Sequence, residues 1–435
     1  MDGEEVHVLM VTYAMQGHIN PMLRLAKRLI AKGLHVVLPP LKMGVSACST
    51  SKPPPTFNLE FFSDGHSDEF DRDKYLDSFF ESLQTVGSKN LSNLITNLKA
   101  KCNKISLLWI QACAVYSIYC LYFKHPYLFP SLENQDDVVE LPDMPTLLVR
   151  DLPSFILPSS RIGLRTLVSD FVQILNKVKW ILGNSFNELE EDIAGSMASL
   201  RPVIPISPLV SPFLLGQRET VAVSMDLCSP EDYCIEWLDK KPPSSVIYIS
   251  FGSIIVMTQN QIDSIATALR KSDRPFVCVI KPPQKGSSKK SGELPSGFLE
   301  ETIGLVVKSC PQEKVLMHHA VACFMTHCGW NSTLETIVAE MPVIAYPEWT
   351  DQSIDAKLLV DVLKIGVRMR NGEDGALGAK EVERCIMEMT DEMTTTHMKK
   401  RAIALKEGAK KAVEDGGSSD QNINNFINEI KAKSL

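Results

Sequence analysis

Residues 309–352 read SCPQEKVLMHHAVACFMTHCGWNSTLETIVAEMPVIAYPEWTDQ, and this stretch decides the fold. The run 321–325 (VACFM) is apolar and of strand length. It ends in Thr326-His327-Cys328-Gly329-Trp330-Asn331-Ser332, after which Leu334, Ile337 and Val338 fall at helical spacing. A strand that feeds a helix through a glycine-containing turn gathers backbone N–H groups and the positive end of the helix dipole in one place. Such a site suits phosphate. A second strand, 343–346, leads through Pro347-Glu348-Trp349-Thr350-Asp351-Gln352 into another helix. The two loops are expected side by side at the C-terminal edge of a parallel sheet, where doubly wound folds hold their ligands.

Taken singly, these residues have structural explanations. Ser332 with Glu335 spells a capping box, His327 closes a strand, and Trp330 and Trp349 suit a core. As one string they say more. His327, Trp330, Asn331, Ser332, Glu335, Asp351 and Gln352, preceded by Pro311-Gln312, Val315-Leu316 and His318, resemble the signature box of the plant UDP-dependent glycosyltransferases, glycosyltransferase family 1. The resemblance implies that His327, Asn331 and Ser332 bind the diphosphate. It implies that Glu335 accepts hydrogen bonds from the ribose hydroxyls, and that Trp330, Asp351 and Gln352 hold the sugar. In that family Gln at the last position goes with glucose, so Gln352 implies UDP-glucose. Ser309, Cys310 and Gln312 open the box on the UDP side, and Ser253 matches the family position that faces the diphosphate. The box also departs from the family pattern. Ser309 stands where a Trp would stack on uracil, and an aromatic–base stack is worth about 1–3 kcal/mol. Ala322 stands where Gly is usual, and Glu340-Met341 where Gly-Val is usual. If that helix end needs a left-handed backbone, Glu340 is strained there.

The 435 residues leave room for two or three domains. A net charge of −7 without a basic cluster argues against a nucleic-acid partner. Eleven scattered cysteines, with no C-x-x-C pair and no zinc spacing, suit buried thiols in a reducing cytosol. No metal site is expected. The N-terminus, MDGEEVHVLMV, is acidic and then strand-like rather than a signal peptide, so a cytoplasmic location is expected. Residues 6–11 read as a buried parallel strand. Residues 21–32 read as a helix, with Asn20 as N-cap and Pro21 in the first position, and 35–38 as the next strand. This opening puts the turn 12–20 at the ligand edge. There Gln16-Gly17-His18-Ile19-Asn20-Pro21 resembles the family segment that carries the catalytic base. The resemblance implies that His18 takes the proton of an acceptor hydroxyl, with Gln16 and Gly17 in the acceptor pocket. Attack opposite the leaving UDP inverts the anomeric carbon. UDP-glucose enters as co-substrate and no further cofactor is implied.

Residues 105–123, ISLLWIQACAVYSIYCLYF, carry no charge and have the length of a membrane span. Gln111, two cysteines and three tyrosines spread along the run argue against one, because interfacial aromatics belong at its ends. The resemblance offers another reading. Trp109-Ile110-Gln111-Ala112-Cys113 matches the end of a strand, with Trp109, Gln111 and Trp349 in the acceptor pocket. The βα unit that should precede it is absent. A parallel crossover needs a dozen or more residues, which Ser106-Leu107-Leu108 cannot supply. In the family that unit carries the charged partner of the catalytic His, and no substitute is assigned.

Further helices are expected at 75–98, 167–178, 188–200, 355–362, 379–389 and 422–431. Strands are expected at 57–62, 180–184, 246–251 and 276–280, and 202–208 should reach the surface. Residues 234–238 open the second domain and 304–307 lead into the signature box. Thr258 with Gln261 spells a capping box. The resemblance implies a GT-B fold, two facing Rossmann-like domains with a cleft between them. Residues 1–208 would hold the acceptor, 209–229 form the linker, 230–417 bind the UDP-sugar, and 418–435 return to the first domain. Residues 109–119, 140–155 and 240–253 look most like plant glucosyltransferases that make glucose esters of carboxylic acids, such as indole-3-acetate or phenolic acids. Two alternatives stand beside this one: a catalytically impaired UDP-sugar-binding relative, and an O-glucosyltransferase of phenols or flavonoids. No membrane is expected as a partner.

Overall fold

The computed structural model describes residues 6–13, 15–42, 54–67, 69–72, 74–98, 105–196, 200–217, 233–252, 255–280 and 292–432. The first half runs β1 (His7–Leu9), β2 (Thr12–Tyr13), α1 (Gln16–Ala31), β3 (His35–Leu38), β4 (Pro40–Leu41) and β5 (Phe57–Leu59). It continues with α2 (Leu76–Ser82), α3 (Ser88–Asn97), β6 (Ser106–Trp109), α4 (Cys113–Lys124), β7 (Val138–Val139) and β8 (Leu147–Leu148). It ends with α5 (Ile162–Ile174), β9 (Trp180–Gly183), α6 (Asn187–Ser196) and β10 (Ile204–Pro205). The second half runs α7 (Tyr233–Leu238), β11 (Val246–Ser250), α8 (Gln259–Ser272), β12 (Phe276–Val279), β13 (Gly304–Val307) and α9 (Gln312–Leu316). Then come β14 (Val321–Thr326), α10 (Trp330–Val338), β15 (Val343–Ala345), α11 (Gln352–Lys357) and β16 (Gly366–Arg368). Three helices close the chain, α12 (Ala379–Glu388), α13 (Glu392–Val413) and α14 (Ser418–Lys431).

The second half builds one parallel sheet in the order β13-β12-β11-β14-β15-β16. β11, β12 and β15 are buried along their whole length, as strands covered on both faces must be. The chain leaves β11 towards one edge and returns at β14 towards the other. The order therefore reverses between β11 and β14, and a crevice opens beyond their C-terminal ends. The helix after β11, α8, starts on the capping box read from sequence: the Thr258 hydroxyl accepts the Gln261 N–H, and the Gln261 side-chain oxygen accepts the Thr258 N–H.

The first half is less continuous. It holds two three-stranded parallel sheets, β1-β3-β5 and β10-β9-β6, with a β2-β4 pair beside them. β1 and β6 are edge strands. That explains why β1 is not the buried strand expected: His7 is exposed and Val8 and Leu9 only half-buried. The two sheets nevertheless share a core, in which Met10 and Leu182 meet Ile423, Phe426 and Ile427 of α14. α14 is held there by Trp180 Nε1–Glu429 at 3.0 Å, Asn422 Nδ2–Pro205 O at 2.8 Å and the pair Lys32–Asp420 at 2.6 Å.

Several local expectations change. α1 starts at Gln16 with Met15 as its N-cap, so Asn20 caps nothing and Pro21 lies inside the helix. The 105–123 run breaks into β6 and the twelve-residue α4, whose first N–H groups, those of Cys113 and Ala114, are accepted by the buried Glu190 carboxylate. Among the described residues no helix is long and apolar enough to cross a membrane. Residues 205–208 are buried rather than at the surface, and so are 209–211 at the start of the expected linker. The rest of that linker from 218 onward lies outside the described residues. α13 has no counterpart among the helices read from sequence, and its weak segregation of apolar residues explains the omission. Glu340 does adopt a left-handed backbone, φ +58°, and its carboxylate meets Lys406 at 2.9 Å.

The packing of α14 gives the first expectation. Phe426 is buried with its ring edge-on to Trp180, centroids 5.3 Å apart. Phe426→Ala should cost about 3–5 kcal/mol and lower the thermal midpoint in a calorimetric melt. An unchanged melt would show that α14 does not stabilise the first half.

Candidate active site

A cleft of about 1310 Å³ lies between the two halves and is lined by both. On the second-half wall stands the N-terminus of α10. Its N-cap is Gly329, which offers no side-chain oxygen. Ser332 is therefore the third residue of the helix and not its cap, so the capping-box explanation of Ser332 and Glu335 fails. Thr333 is the residue whose N–H bonds back to Gly329 O. The N–H groups of Trp330, Asn331 and Ser332 have no partner inside the helix, and all three residues line the cleft.

His327 sits at the β14 end, next to the β11 end, where the strand order reverses. Two glycines hold its ring. A Cβ on Gly252, which has φ +75°, would come within 2.5 Å of His327 Nε2, and one on Gly329 within 2.7 Å. The turn itself is made by Cys328 in the left-handed region, φ +64°, with its N–H on Thr326 Oγ1 at 3.2 Å. Ser253, which follows Gly252, lies outside the described residues.

Asn331 reaches across the cleft and donates to Gly17 O at 2.8 Å. Gly17 is four residues before Pro21. A proline has no N–H to give the carbonyl one turn back, so the misplaced Pro21 frees the acceptor that Asn331 uses. Trp330 also crosses: its indole N–H donates to Asn184 O at 2.6 Å, and its ring is buried. Of Trp330, the cleft therefore meets the backbone more than the ring.

Glu335 lies deeper along the same wall. Gln312 donates to Glu335 at 2.6 Å and to Ser332 Oγ at 3.1 Å, and accepts from Tyr248 OH at 3.1 Å. Burial, then the neighbouring Glu313, raises the Glu335 pKa, against the Gln312 bond and the Arg24 charge. Glu313 is itself bound by Arg24 at 2.9 Å and by the Ser211 hydroxyl. Cys310 Sγ lies 3.2 Å from Tyr248 OH, and Ser309 lines the cleft beside it.

The second loop supplies Asp351 and Gln352, both buried. Gln352 spends its carbonyl oxygen on the Glu348 and Trp349 N–H groups, at 2.9 and 3.2 Å, which leaves its NH₂ end to donate. Asp351 accepts the Thr350 hydroxyl; burial raises its pKa, and the nearby Gln111 side chain favours its charged form against that. Gln111, expected in the acceptor pocket, therefore stands where the two walls meet.

On the first-half wall, Gln16, Gly17 and His18 form the first turn of α1. Burial lowers the His18 pKa to about 4. The Tyr13 ring meets the His18 ring edge-on at 5.4 Å, and among the described residues no carboxylate bonds it. Trp109 is packed on Tyr116, Tyr119 and Phe171 and donates to Ala112 O at 2.8 Å. Trp349 is partly exposed, with Phe155 at 5.9 Å. Phe155, Phe171 and Tyr119 also line the cleft, and Asn184 bonds Trp330 behind it. Sequence reading did not single these four out, because apolar walls and a backbone carbonyl leave no motif. Among the described residues no group of three or more His, Cys, Asp or Glu is placed to hold a metal ion.

Comparison with known proteins agrees with this geometry. Residues 234–392 match the family model described as UDP-glucoronosyl and UDP-glucosyl transferase. UDP-glycosyltransferase 84B1 of Arabidopsis thaliana is 47% identical, over 99% of this chain and 98% of its own length. Gallate 1-beta-glucosyltransferase of Quercus robur is 37% identical, over 99% of this chain and 91% of its own. The crystal structure of Os79 from O. sativa in complex with UDP superposes with a TM-score of 0.84 at 28% identity, covering 97% of this chain and 100% of that one. Two parallel-sheet halves facing across a cleft are the GT-B fold, and with relatives this similar along its whole length the chain belongs to the plant UDP-glycosyltransferases of glycosyltransferase family 1.

Proposed function

We propose that this enzyme transfers glucose from UDP-glucose to the carboxyl oxygen of a small acid, with inversion, giving a β-glucose ester. The observation that carries the reading is the uncapped N-terminus of α10, open to the cleft beside His327. Backbone N–H groups of Trp330, Asn331 and Ser332, with His327, would grip the diphosphate. Glu335 would accept from the ribose hydroxyls. Ser309, Cys310 and Gln312 would flank the uridine, and Asp351 with the Gln352 NH₂ would hold the glucose hydroxyls. The two halves, 1–208 and 230–417, would serve acceptor and donor respectively.

In the transfer, an acceptor oxygen attacks the anomeric carbon from the His18 side. The bond from that carbon to the diphosphate breaks, and its electron pair leaves with UDP. The positive end of α10 and His327 stabilise the charge that develops there. A hydroxyl acceptor must also lose a proton, which His18 would take. At a pKa of about 4 with no carboxylate partner, His18 is neutral at pH 7 but a weak base. A carboxylate acceptor has already lost its proton. That match, together with the gallate-esterifying relative, favours an acid over a phenol.

We infer further that a βα unit is missing before β6. Its loss would leave β1 and β6 as edge strands of two separate sheets. The alignment with the Arabidopsis relative needs 454 positions against the 435 residues here, so that protein carries residues this chain lacks. Ser309 favours a second reading, a relative with weakened donor binding.

Turnover of UDP-glucose with a panel of phenolic acids and matching phenols tests the proposal. Acids should be glucosylated at least tenfold faster, and equal rates would refute the acid reading. His18→Ala should lower transfer to phenols by less than the roughly 10²-fold that a well-matched base supplies, and transfer to acids by less still. For the native enzyme, protonation of His18 should cut phenol transfer only as pH falls towards about 4. The depressed pKa keeps the neutral base through the range where an ordinary His is already charged, so a limb near pH 6.5 would contradict this. Ser309→Trp should lower the KM for UDP-glucose about tenfold. No change would place any weakness outside the uracil site.

A further inference from the structure

Asp355 is a buried acid that the transfer reaction leaves unused. It lies one turn beyond Asp351 on α11, is 0% exposed, and neither carboxyl oxygen has a hydrogen-bond donor in reach. Its surroundings are acidic. Asp351 faces it from its own helix, Glu190 from α6, the Tyr119 hydroxyl from α4 and the Cys328 thiol from the β14 turn. The nearby cations are engaged elsewhere: Arg368 bonds Asp151 at 2.6 Å, and Lys357 bonds Asp361 at 2.9 Å with Asp151 at 3.8 Å. An ionised carboxylate without donor or counter-charge in such a place is strongly disfavoured. A protonated carboxyl has an O–H to give, and the group within reach to take it is the Asp351 carboxylate.

We propose that Asp355 is a positioning residue for the donor sugar: it stays protonated and donates its O–H to Asp351, fixing that carboxylate for the glucose hydroxyls. The proposal rests on the reading of Asp351 as a sugar ligand. Asp351 then receives Thr350, Gln111 and Asp355 as donors, and the third is a donor only while Asp355 keeps its proton. Burial and the Asp351 charge both push the Asp355 pKa well above the carboxylate range; burial raises the Asp351 pKa too, but the Thr350 hydroxyl and then Asp355 pull it back towards the charged form. The sign follows. Below the raised pKa the pair carries one charge and a hydrogen bond. As pH rises through it, a second charge appears beside the first, and Asp351 turns away or loses its orientation. Sugar recognition should therefore weaken as pH rises through the raised Asp355 pKa.

The experiment measures affinities of the full chain for UDP and for UDP-glucose by calorimetry at increasing pH. Above about pH 7.5, where the terminal phosphate of UDP is fully ionised, their ratio isolates the sugar, because titration of Glu335 or of the diphosphate contacts affects both ligands. The native ratio should fall about tenfold at alkaline pH. Asp355→Asn, whose amide donates at every pH, should flatten the profile. Asp355→Leu, of similar bulk but without a donor, should lower the ratio about tenfold at all pH while UDP still binds. An Asn variant that keeps the alkaline fall, or a Leu variant with the native ratio, overturns the proposal. If the Leu variant does not fold, the Asn profile decides. Asp351→Ala separates the two levels. If it leaves the ratio unchanged, the sugar role of Asp351 fails. If it lowers the ratio while the Asp355 variants behave as native, only the Asp355 proposal fails.

Discussion

An α-helix cannot satisfy its own first N–H groups, and the protein must supply something else to meet them. At α4 the supply is internal, a Glu190 carboxylate placed against Cys113 and Ala114 N–H. At α8 it is the Thr258 hydroxyl. At α10 no side chain among the described residues caps the end, and the groups face a cleft. Much of the surrounding architecture serves that arrangement. The sheet order reverses at β11 and β14, which opens the crevice. Gly252 and Gly329 clear the volume the His327 ring fills, and the left-handed Cys328 turns the chain sharply enough to start α10 there.

The two halves are tied together by the residues that border this site. Asn331 bonds Gly17 and Trp330 bonds Asn184, each from the first turn of α10. Glu313, one residue past Gln312, bonds Arg24 of α1. Thr350, next to Asp351, exchanges bonds with Ser154, at 2.7 and 2.8 Å. Further contacts lie outside the cleft lining, among them Asp151 with Arg368 at 2.6 Å. A shift of the first turn of α10 would move the first turn of α1 through the Asn331–Gly17 bond, and with it His18. On the proposed reading, this couples the grip on the donor to the placement of the acceptor base.

The second-half sheet was legible because its strands are short apolar runs followed by glycine turns, and both faces are covered. The signature string, at fixed spacing, located Glu335, Asp351 and Gln352 on one cleft wall before any coordinates. Its failures have local causes. Pro21 follows Asn20, the pattern of a helix start, yet the helix begins at Gln16, and the freed Gly17 carbonyl finds Asn331, 314 residues away. Ser332 and Glu335 have capping-box spacing but are held by Gln312 instead. The β1 strand reads as buried from its apolar residues, while its burial depends on a neighbour that a single strand cannot announce. Asp355 was invisible as a partner of Asp351, since one-turn spacing on a helix puts side chains together only once the helix is known to start at Gln352.

The weakness of His18 and the nature of the acceptor belong to one argument. A histidine gains basicity when a carboxylate holds its far N–H, and loses it when burial removes water from the charged form. Here burial acts and no carboxylate bonds the ring among the described residues. On the proposed reading, such a site discriminates by acceptor acidity. A phenol or alcohol needs a base strong enough to share its proton in the transition state, and this one is too weak to help much. A carboxylate needs only to be placed near the anomeric carbon in a site with little competing water. An N-terminal half with an interrupted sheet would then be tolerable for ester formation where it would be crippling for ether formation. The same deficit that makes the chain look impaired for one acceptor class leaves it competent for the other.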